Sequence, residues 1–300
     1  MKEPRPFDIR DLSTQEEFAA CVRLQEAVWG EGFAERVPTA ILGIAARFGG
    51  VVAGAFLEGD GEPVGFVFGL TGLEDGRLAH WSDMLAVRRE ARGRGLARAL
   101  KLHQRDRLLR LGVLRMYWSF DPLESRNAHL NLNRLGVRVR RYVEEMYGIS
   151  TSPLHQGIGT DRFVADWELD APHVRALLDP DRPGGKGDGE ERATPDESVS
   201  ETDAGEALGM EFLGDLPAPD QPCLHLDQPR LLVAVPTHIQ ELKAHRPELA
   251  ICWRKATRKA LTHYLSRGWE VRALLGRAEE PCARYLLVRP DPMTSTGSWG

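Results

Sequence analysis

The sequence is short of cysteine and lysine, and its charge balance excludes further classes of protein. Its four cysteines form no C-x-x-C pair, so a disulfide scaffold is not expected and the compartment should be a reducing one. Six lysines stand against 33 arginines, yet the formal charge is −5, so no general basic field predicts a nucleic-acid partner. The arginine excess is interpreted as a coding bias, because most of these residues do not cluster.

The sequence also lacks a long apolar run. The longest weakly polar stretch, from Ala40 to Phe56, contains Arg47 and a Gly-Gly pair and is too short to span a membrane. The first residues are charged and have no apolar core, which argues against a signal peptide. We therefore expect a cytoplasmic protein with no membrane partner.

One acidic segment differs from the rest of the chain. Asp179–Ala207 holds ten acidic and three basic residues, with no aromatic residue, and cannot bury enough apolar surface to offset its ordering entropy. It is predicted to be mobile, as a linker rather than as a docking site for a basic partner. The predicted organisation is a first domain over 1–169, an acidic flexible linker or insertion over 170–228, a small subdomain over 229–290 and a tail over 291–300.

Periodicity predicts the order β-α-α-β-β-β-α-β-α-β-β over residues 6–169, which is an α/β fold with a mixed sheet and helices on its faces. Thr14 and Glu17 are spaced as a helix capping box. The region 229–290 is predicted to be a β-α-β-β unit whose helical part bends near Pro247. About 60 residues are few for an independent domain, so this unit should pack on the first part, with extension of the same sheet as one option.

The most informative stretch is a strand followed by a tight basic loop and a long helix. Gly93 and Gly95 leave room for a ligand to approach the backbone, and the first amides of the helix lack intrahelical partners. Arg92, Arg94 and Arg98 add positive charge. The Gly-Lys-Ser/Thr of a Walker loop is absent, and so is a full G-x-G-x-x-G. The stretch therefore predicts an anion site suited to a pyrophosphate.

Two motifs carry a family resemblance. Glu90–Ala97 resembles motif A of the GNAT superfamily of N-acetyltransferases, whose pattern is Q/R-x-x-G-x-G/A, with Glu90 at the first position. Residues 125–136 resemble the family helix N-x-x-A-x-x-L-Y-x-K-x-G, but Leu132 stands at the position of the tyrosine that usually serves as general acid. With its long C-terminal extension, the chain resembles a bacterial subgroup of that superfamily.

The resemblance implies a mixed, mostly antiparallel sheet flanked by helices, with the β-α-β-β unit as its C-terminal extension. It implies acetyl-CoA or another acyl-CoA as co-substrate and no metal. The residues it implies for cofactor binding are Leu85, Ala86, Val87, Arg92, Gly93, Arg94, Gly95, Leu96, Ala97 and Asn127. Capping of its helix is an equally weighted interpretation of Asn127.

The implied function is transfer of an acetyl or succinyl group to the amine of a small molecule, with an amino acid as one acceptor class. A non-catalytic acyl-CoA-binding regulatory module is the alternative, favoured by Leu132. A homodimer is left open.

Candidates for the general base lie in the stretch His80-Trp81-Ser82-Asp83. Alternate residues of a strand share a face, so Trp81 and Asp83 should point one way and His80 and Ser82 the other. Asp83 is the preferred base because it lies two residues before Leu85, where the implied pantetheine segment begins. His80 is the alternative because its intrinsic pKa is better suited to a base. A purely structural role is the competing interpretation for each. Other residues also have both functional and structural interpretations: Asp121, Arg138, Arg140, Arg141, Tyr142 and Tyr147.

Overall fold

The computed structural model describes five stretches of the chain: residues 7–31, 33–59, 61–148, 157–179 and 203–290. Their contacts divide the chain into two compact units. Within the described residues, the first unit comprises residues up to 118 and 167–172, and the second comprises 119–166, 173–179 and 203–290.

The first unit is built on a five-stranded sheet. Its elements are β1 (Phe7–Asp11), α1 (Gln15–Trp29), α2 (Thr39–Arg47), β2 (Val51–Leu57), β3 (Gly65–Glu74), β4 (Arg77–Val87), α3 (Leu96–Arg110) and the first four residues of β5 (Arg115–Phe120). The strand order is β1-β2-β3-β4-β5. The first four strands are antiparallel, whereas β4 and β5 run parallel.

Local sequence signals explain several of these elements. The Thr14 hydroxyl accepts the Glu17 amide at 3.2 Å while the Glu17 carboxylate accepts the Thr14 amide at 3.0 Å, so the predicted capping box starts α1. The β3–β4 hairpin turns at Asp75-Gly76, both with positive φ. Asp-Gly is a favoured pair for such a two-residue turn, so this hairpin could have been read from the sequence.

The second unit holds the rest of the described chain. Its elements are α4 (Ser125–His129, continued by a π-helical turn over Leu130–Arg134), β6 (Arg138–Val143), β7 (Arg162–Glu168, whose last two residues fall in the first unit), α5 (Pro172–Leu178), β8 (Gly205–Leu208), β9 (Met210–Leu213), β10 (Leu216–Pro219), β11 (Arg230–Pro236), α6 (Ile239–His245), α7 (Pro247–Leu265), β12 (Glu270–Leu275) and β13 (Cys282–Val288). The strand order is β7-β6-β12-β13-β11-β8, and β9 pairs separately with β10.

The predicted element order of both parts is confirmed, including the helix break at Pro247. The predicted α/β fold class, a mostly antiparallel sheet flanked by helices, is also confirmed. The unit boundary, however, falls within β5 and β7 rather than after residue 169. The reason is that β12 pairs with β6 at Val271↔Val139, so the C-terminal strands extend the sheet of β6 and β7.

Parts of the predicted linker over 170–228 are helix and strand. In α5, Val174 and Leu177 are buried, and in β8 Ala207 and Leu208 are buried against β11. Short apolar groups of this kind are lost when composition is averaged over a long acidic segment. The core of the segment predicted to be mobile, residues 180–202, and the tail 291–300 lie outside the described residues.

Among the helices of the described ranges, none is both long and apolar enough to cross a membrane.

Candidate functional site

The basic loop leads from β4 into α3 and is shaped by two glycines. A short 3-10 turn over Arg89–Ala91 precedes Gly93 and Gly95, which adopt φ of +76° and +73°. These left-handed conformations are costly for residues with a Cβ. A Cβ on Gly93 would meet no atom within 4 Å, so the loop surface is open there. The sequence prediction of a tight, accessible glycine loop therefore matches the structure.

The arginines of this loop have different tasks. Arg92 donates from Nε to the Val87 carbonyl at 3.2 Å, which holds the loop against the end of β4. Arg94 has a buried Nη1 with no hydrogen-bond partner among the described residues. An unpartnered guanidinium nitrogen is costly and suits a bound anion. No acidic residue lies in the first turn of α3, so the partial positive charge at its N-terminus is not offset there. These residues fit a pyrophosphate.

Beyond its short pairing with β5, strand β4 has an edge with no strand partner among the described pairings. In the described pairings, β4 meets β5 only at His80↔Met116 and Trp81↔Tyr117. On its other side β4 continues to pair with β3 as far as Val87. The backbone of Leu85–Val87 therefore pairs with β3 while its other edge is not matched to β5, as an extended pantetheine chain would require.

A β-bulge interrupts β4 just before that edge. Phe68 pairs with Met84 and the adjacent Gly69 pairs with Ser82, so Asp83 is an extra residue without an opposite partner on β3. Bulges bend a strand and redirect the side chains on it. No local sequence pattern predicts this bulge, because it depends on the register between two strands.

The two base candidates lie on opposite faces of β4, as the alternation predicted. His80 and Ser82 are buried, whereas Asp83 is exposed and accepts a hydrogen bond from Trp81 Nε1 at 3.3 Å. Although the Asp83 carboxylate reaches solvent, partial burial raises its pKa above the usual 3.8. A carboxylate with a raised pKa and an accessible face has the properties of a general base.

Both ring nitrogens of His80 are hydrogen-bonded to side chains within the first unit. Thr71 Oγ1 lies 2.9 Å from Nδ1 and itself donates to the Gly49 carbonyl at 2.5 Å, so Nδ1 must be the donor of that pair. Nε2 then accepts from the Gln104 amide nitrogen at 2.9 Å. Burial, with a smaller effect of the Lys101 charge, lowers the His80 pKa to about 3. These contacts favour a structural role for His80 and leave Asp83 as the better candidate.

The same network continues to a buried lysine. Ser82 donates to Gln104 Oε1 at 2.9 Å, and Lys101 Nζ donates to Ser82 Oγ at 2.8 Å. Lys101 also places Nζ 3.8 Å from the ring centroid of Trp118, and burial lowers its pKa well below the usual range. Sequence reasoning missed this network. The available signal was that Lys101 and Gln104 fall on the stripe of α3 that also carries the buried Leu100.

Asn127 and Leu132 lie in the second unit. Helix α4 starts at Ser125 with Glu124 as its N-cap residue, so Asn127 does not cap it. Asn127 is exposed and its Oδ1 accepts a weak hydrogen bond from Asn131 at 3.3 Å. Leu132 is fully buried and is a core residue of the second unit.

Several polar residues that the sequence suggested for substrate binding or proton transfer form hydrogen bonds and ion pairs with other residues of the second unit. Asp121 is buried and held by both of its oxygens to Arg254 Nη2, at 2.8 and 2.7 Å. Tyr142 donates to Asp161 at 2.5 Å, and burial raises its pKa, which makes it a poor acid. Arg140 binds the carboxylates of Glu270 and Asp166, so it serves the fold rather than a substrate carboxylate.

Two further contacts complete this picture. The Tyr147 hydroxyl lies 2.7 Å from Ser119 Oγ, and Arg138 lies 3.7 Å from Glu270. No group of three or more His, Cys, Asp or Glu side chains in the described ranges is arranged to hold a metal ion.

Comparison with known proteins gives the following. The model of the Acetyltransferase (GNAT) family matches residues 18–137. The search of curated proteins found no match. Solved structures that resemble the chain include a GNAT-family acetyltransferase from Streptococcus pneumoniae (15% identity, 54% of this chain, 98% of that chain, TM-score 0.43). The ribosomal-protein-S18-alanine N-acetyltransferase from Escherichia coli is another (15% identity, 55% of this chain, 96% of that chain, TM-score 0.44). A third is the NatC complex bound to Gag peptide and CoA (19% identity, 54% of this chain, 98% of that chain, TM-score 0.43). These identities and scores are too low to assign a substrate.

Proposed function

We propose that the chain is an N-acyltransferase of the GNAT family, whose model matches residues 18–137, and that it moves an acetyl or succinyl group from acyl-CoA to the amine of a small molecule. The observation that carries the proposal is the loop between β4 and α3. It combines an open glycine backbone, the start of a helix and the Nη1 of Arg94, which has no hydrogen-bond partner in the part of the chain that the structure describes. Together these supply the donors that a diphosphate requires.

The reaction proposed is a direct attack on the thioester. The CoA pyrophosphate binds the loop and the pantetheine pairs with the free edge of Leu85–Val87, which brings the thioester to the bulge at Asp83. The neutral amine forms the new C–N bond, and the C–S bond breaks as CoA leaves. Asp83, acting through water, takes the proton that the ammonium loses. A backbone amide of the bulge stabilises the oxyanion.

The absence of a tyrosine at position 132 does not prevent this reaction. A thiol has a pKa near 8.5, so the thiolate of CoA is a fair leaving group near neutral pH and can take its proton from solvent. The buried Leu132 does favour the alternative, a regulatory module that binds acyl-CoA without turnover. An assay of thiol release separates the two functions.

The acceptor is proposed to be a small amine, with an amino acid as one class. Arg138 and Arg140, which the sequence offered for a substrate carboxylate, face the carboxylates of their own unit. An amino acid carboxylate would therefore need other partners. A panel of amino acids, polyamines and short peptides, each assayed with acetyl-CoA and succinyl-CoA, tests the acceptor class.

The sharpest test of the loop is a matched pair of glycine variants. Gly93 and Gly112 lie at opposite ends of α3, both have φ of +76°, and a Cβ added to either would meet no atom within 4 Å. Gly93→Ala and Gly112→Ala should thus cost similar backbone strain, about 1 kcal/mol. We expect Gly93→Ala to weaken CoA binding at least tenfold by calorimetry, whereas Gly112→Ala leaves it unchanged. Equal affinities in the two folded variants would refute the site.

A further inference from the structure

The structure points to a positioning role for Ser82, and this inference rests on the proposed function of Asp83. We propose that Ser82, gripped by Lys101 and Gln104 of α3, fixes the β4 bulge and thereby aims Asp83 at the reacting amine. Ser82 lies on the buried face of β4, whereas Asp83 lies on the exposed face. Ser82 touches no reacting atom in this scheme and acts through its neighbour.

The bulge leaves Asp83 with little support from the sheet. On one side Asp83 is the extra residue between Ser82↔Gly69 and Met84↔Phe68. On the other side, the described pairing of β4 with β5 stops at Trp81. A strand residue that lies outside both described pairings needs another anchor to keep a fixed position, because a ladder of hydrogen bonds is what normally fixes a strand residue.

The anchor is the side chain of Ser82. It is buried, it accepts from Lys101 Nζ at 2.8 Å, and it donates to Gln104 Oε1 at 2.9 Å. The hydroxyl is thus satisfied in both directions. Lys101 and Gln104 are three residues apart, one helical turn, so they grip the hydroxyl from two points of the same rigid helix.

The direction of every hydrogen bond in this network is fixed. Gln104 uses its oxygen for Ser82, so its nitrogen must face His80 Nε2, and His80 must then donate from Nδ1 to Thr71, whose hydroxyl donates to Gly49. A network with one permitted orientation holds its members more firmly than one with alternatives. His80 and Gln104 therefore brace the anchor rather than exchange protons with solvent.

One helix serves both ends of the proposed site. Helix α3 begins directly after its N-cap residue Gly95, in the loop proposed for the pyrophosphate, and Lys101 and Gln104 follow on its second and third turns. Ser82 links this helix to the residue beside Asp83. The distance between the bound diphosphate and the base is therefore set by a single rigid element. Accurate placement of a reacting group contributes strongly to rate.

The experiment compares Ser82→Ala with Ser82→Thr in the full-length chain. Ser82→Ala removes the anchor and should lower kcat at least tenfold while CoA affinity, measured by calorimetry, stays within twofold. Ser82→Thr keeps the hydroxyl and should recover most of the lost kcat. Ser266→Ala, which makes the same substitution at an exposed position after α7, is the matched control and should keep the kcat of the wild type.

A pH profile separates positioning from general destabilisation. Partial burial raises the Asp83 pKa, so water admitted by a loosened bulge should move the acid limb of kcat/KM to lower pH in Ser82→Ala. A merely less stable protein would keep the limb in place. Lys101→Met, which removes one of the two contacts without leaving a buried charge, should shift the limb in the same direction by less, and it serves if Ser82→Ala does not fold.

Unchanged kcat and an unchanged limb in a folded Ser82→Ala or Lys101→Met variant would overturn the positioning role. Failure of the proposed function looks different. If Asp83→Asn retains full turnover, Asp83 is not the base, whatever Ser82 does. If Asp83→Asn is inactive and Ser82→Ala is fully active, Asp83 is the base but Ser82 does not position it.

Discussion

The buried imidazole of His80 should make the stability of the protein depend on pH in a defined window. Its pKa falls from 6.5 to about 3 on folding, because burial and the Lys101 charge oppose a second proton. The unfolded chain takes up that proton below pH 6.5, whereas the native state does not do so until about pH 3. Between these values the unfolded state binds more protons, so stability falls as the pH falls.

The magnitude follows from that interval. Each pH unit in the window costs about 1.4 kcal/mol, so going from pH 8 to pH 5 should cost about 2 kcal/mol through His80 alone. Protonation would also set His80 Nε2 against the Gln104 amide donor, since both would then carry hydrogen. The native network therefore resists the proton on geometric as well as electrostatic grounds.

The assay is urea unfolding followed by tryptophan fluorescence at pH 8 and pH 5. The quantity compared is the loss of unfolding free energy between the two pH values, for wild type and for His80→Gln. The variant should lose about 2 kcal/mol less than wild type over this interval. Because each protein is its own reference, a general cost of the substitution cancels. His245→Gln, at an exposed position of α6, should behave as wild type. An equal loss in wild type and His80→Gln would refute the reasoning.

Three further outcomes are expected. Asp83→Asn should lower kcat about a hundredfold or more with CoA affinity unchanged, and full turnover in this variant would exclude Asp83 as base. In the wild type, the acid limb of the kcat/KM profile should lie above pH 3.8, because the Asp83 pKa is raised. Arg254→Met should destabilise the second unit by about 3–5 kcal/mol in urea unfolding, because it leaves the buried Asp121 carboxylate without its main partner; a cost below about 1 kcal/mol would contradict this. Replacing residues 180–202 by a short glycine linker should preserve CoA binding and the melting temperature, whereas a deletion that extends to Ala207 should lower the melting temperature, because it removes part of β8, where Gly205 and Glu206 pair with β11; equal melting temperatures of the two deletions would count against that role of β8.

Local sequence was sufficient for the loop and for the elements of residues 6–169 and 229–290, but not for the helix and strands between them. The capping box at Thr14, the alternation along His80–Asp83 and the glycines before α3 are short-range patterns, and each is present in the structure as predicted. Such patterns act over a few residues because caps, strand faces and tight turns are satisfied by the backbone and near neighbours. The order of strands and helices followed from them.

The tertiary structure decided which chemistry each residue can perform. Whether His80 is a base depends on Gln104, 24 residues away on another element, and whether Asp121 can bind a substrate depends on Arg254, 133 residues away. The bulge at Asp83 exists only in the register of β4 against β3. Hydrogen bonds between distant residues and strand registers arise from packing, which local periodicity does not encode, so the sequence supplied the candidates and the fold separated base from brace.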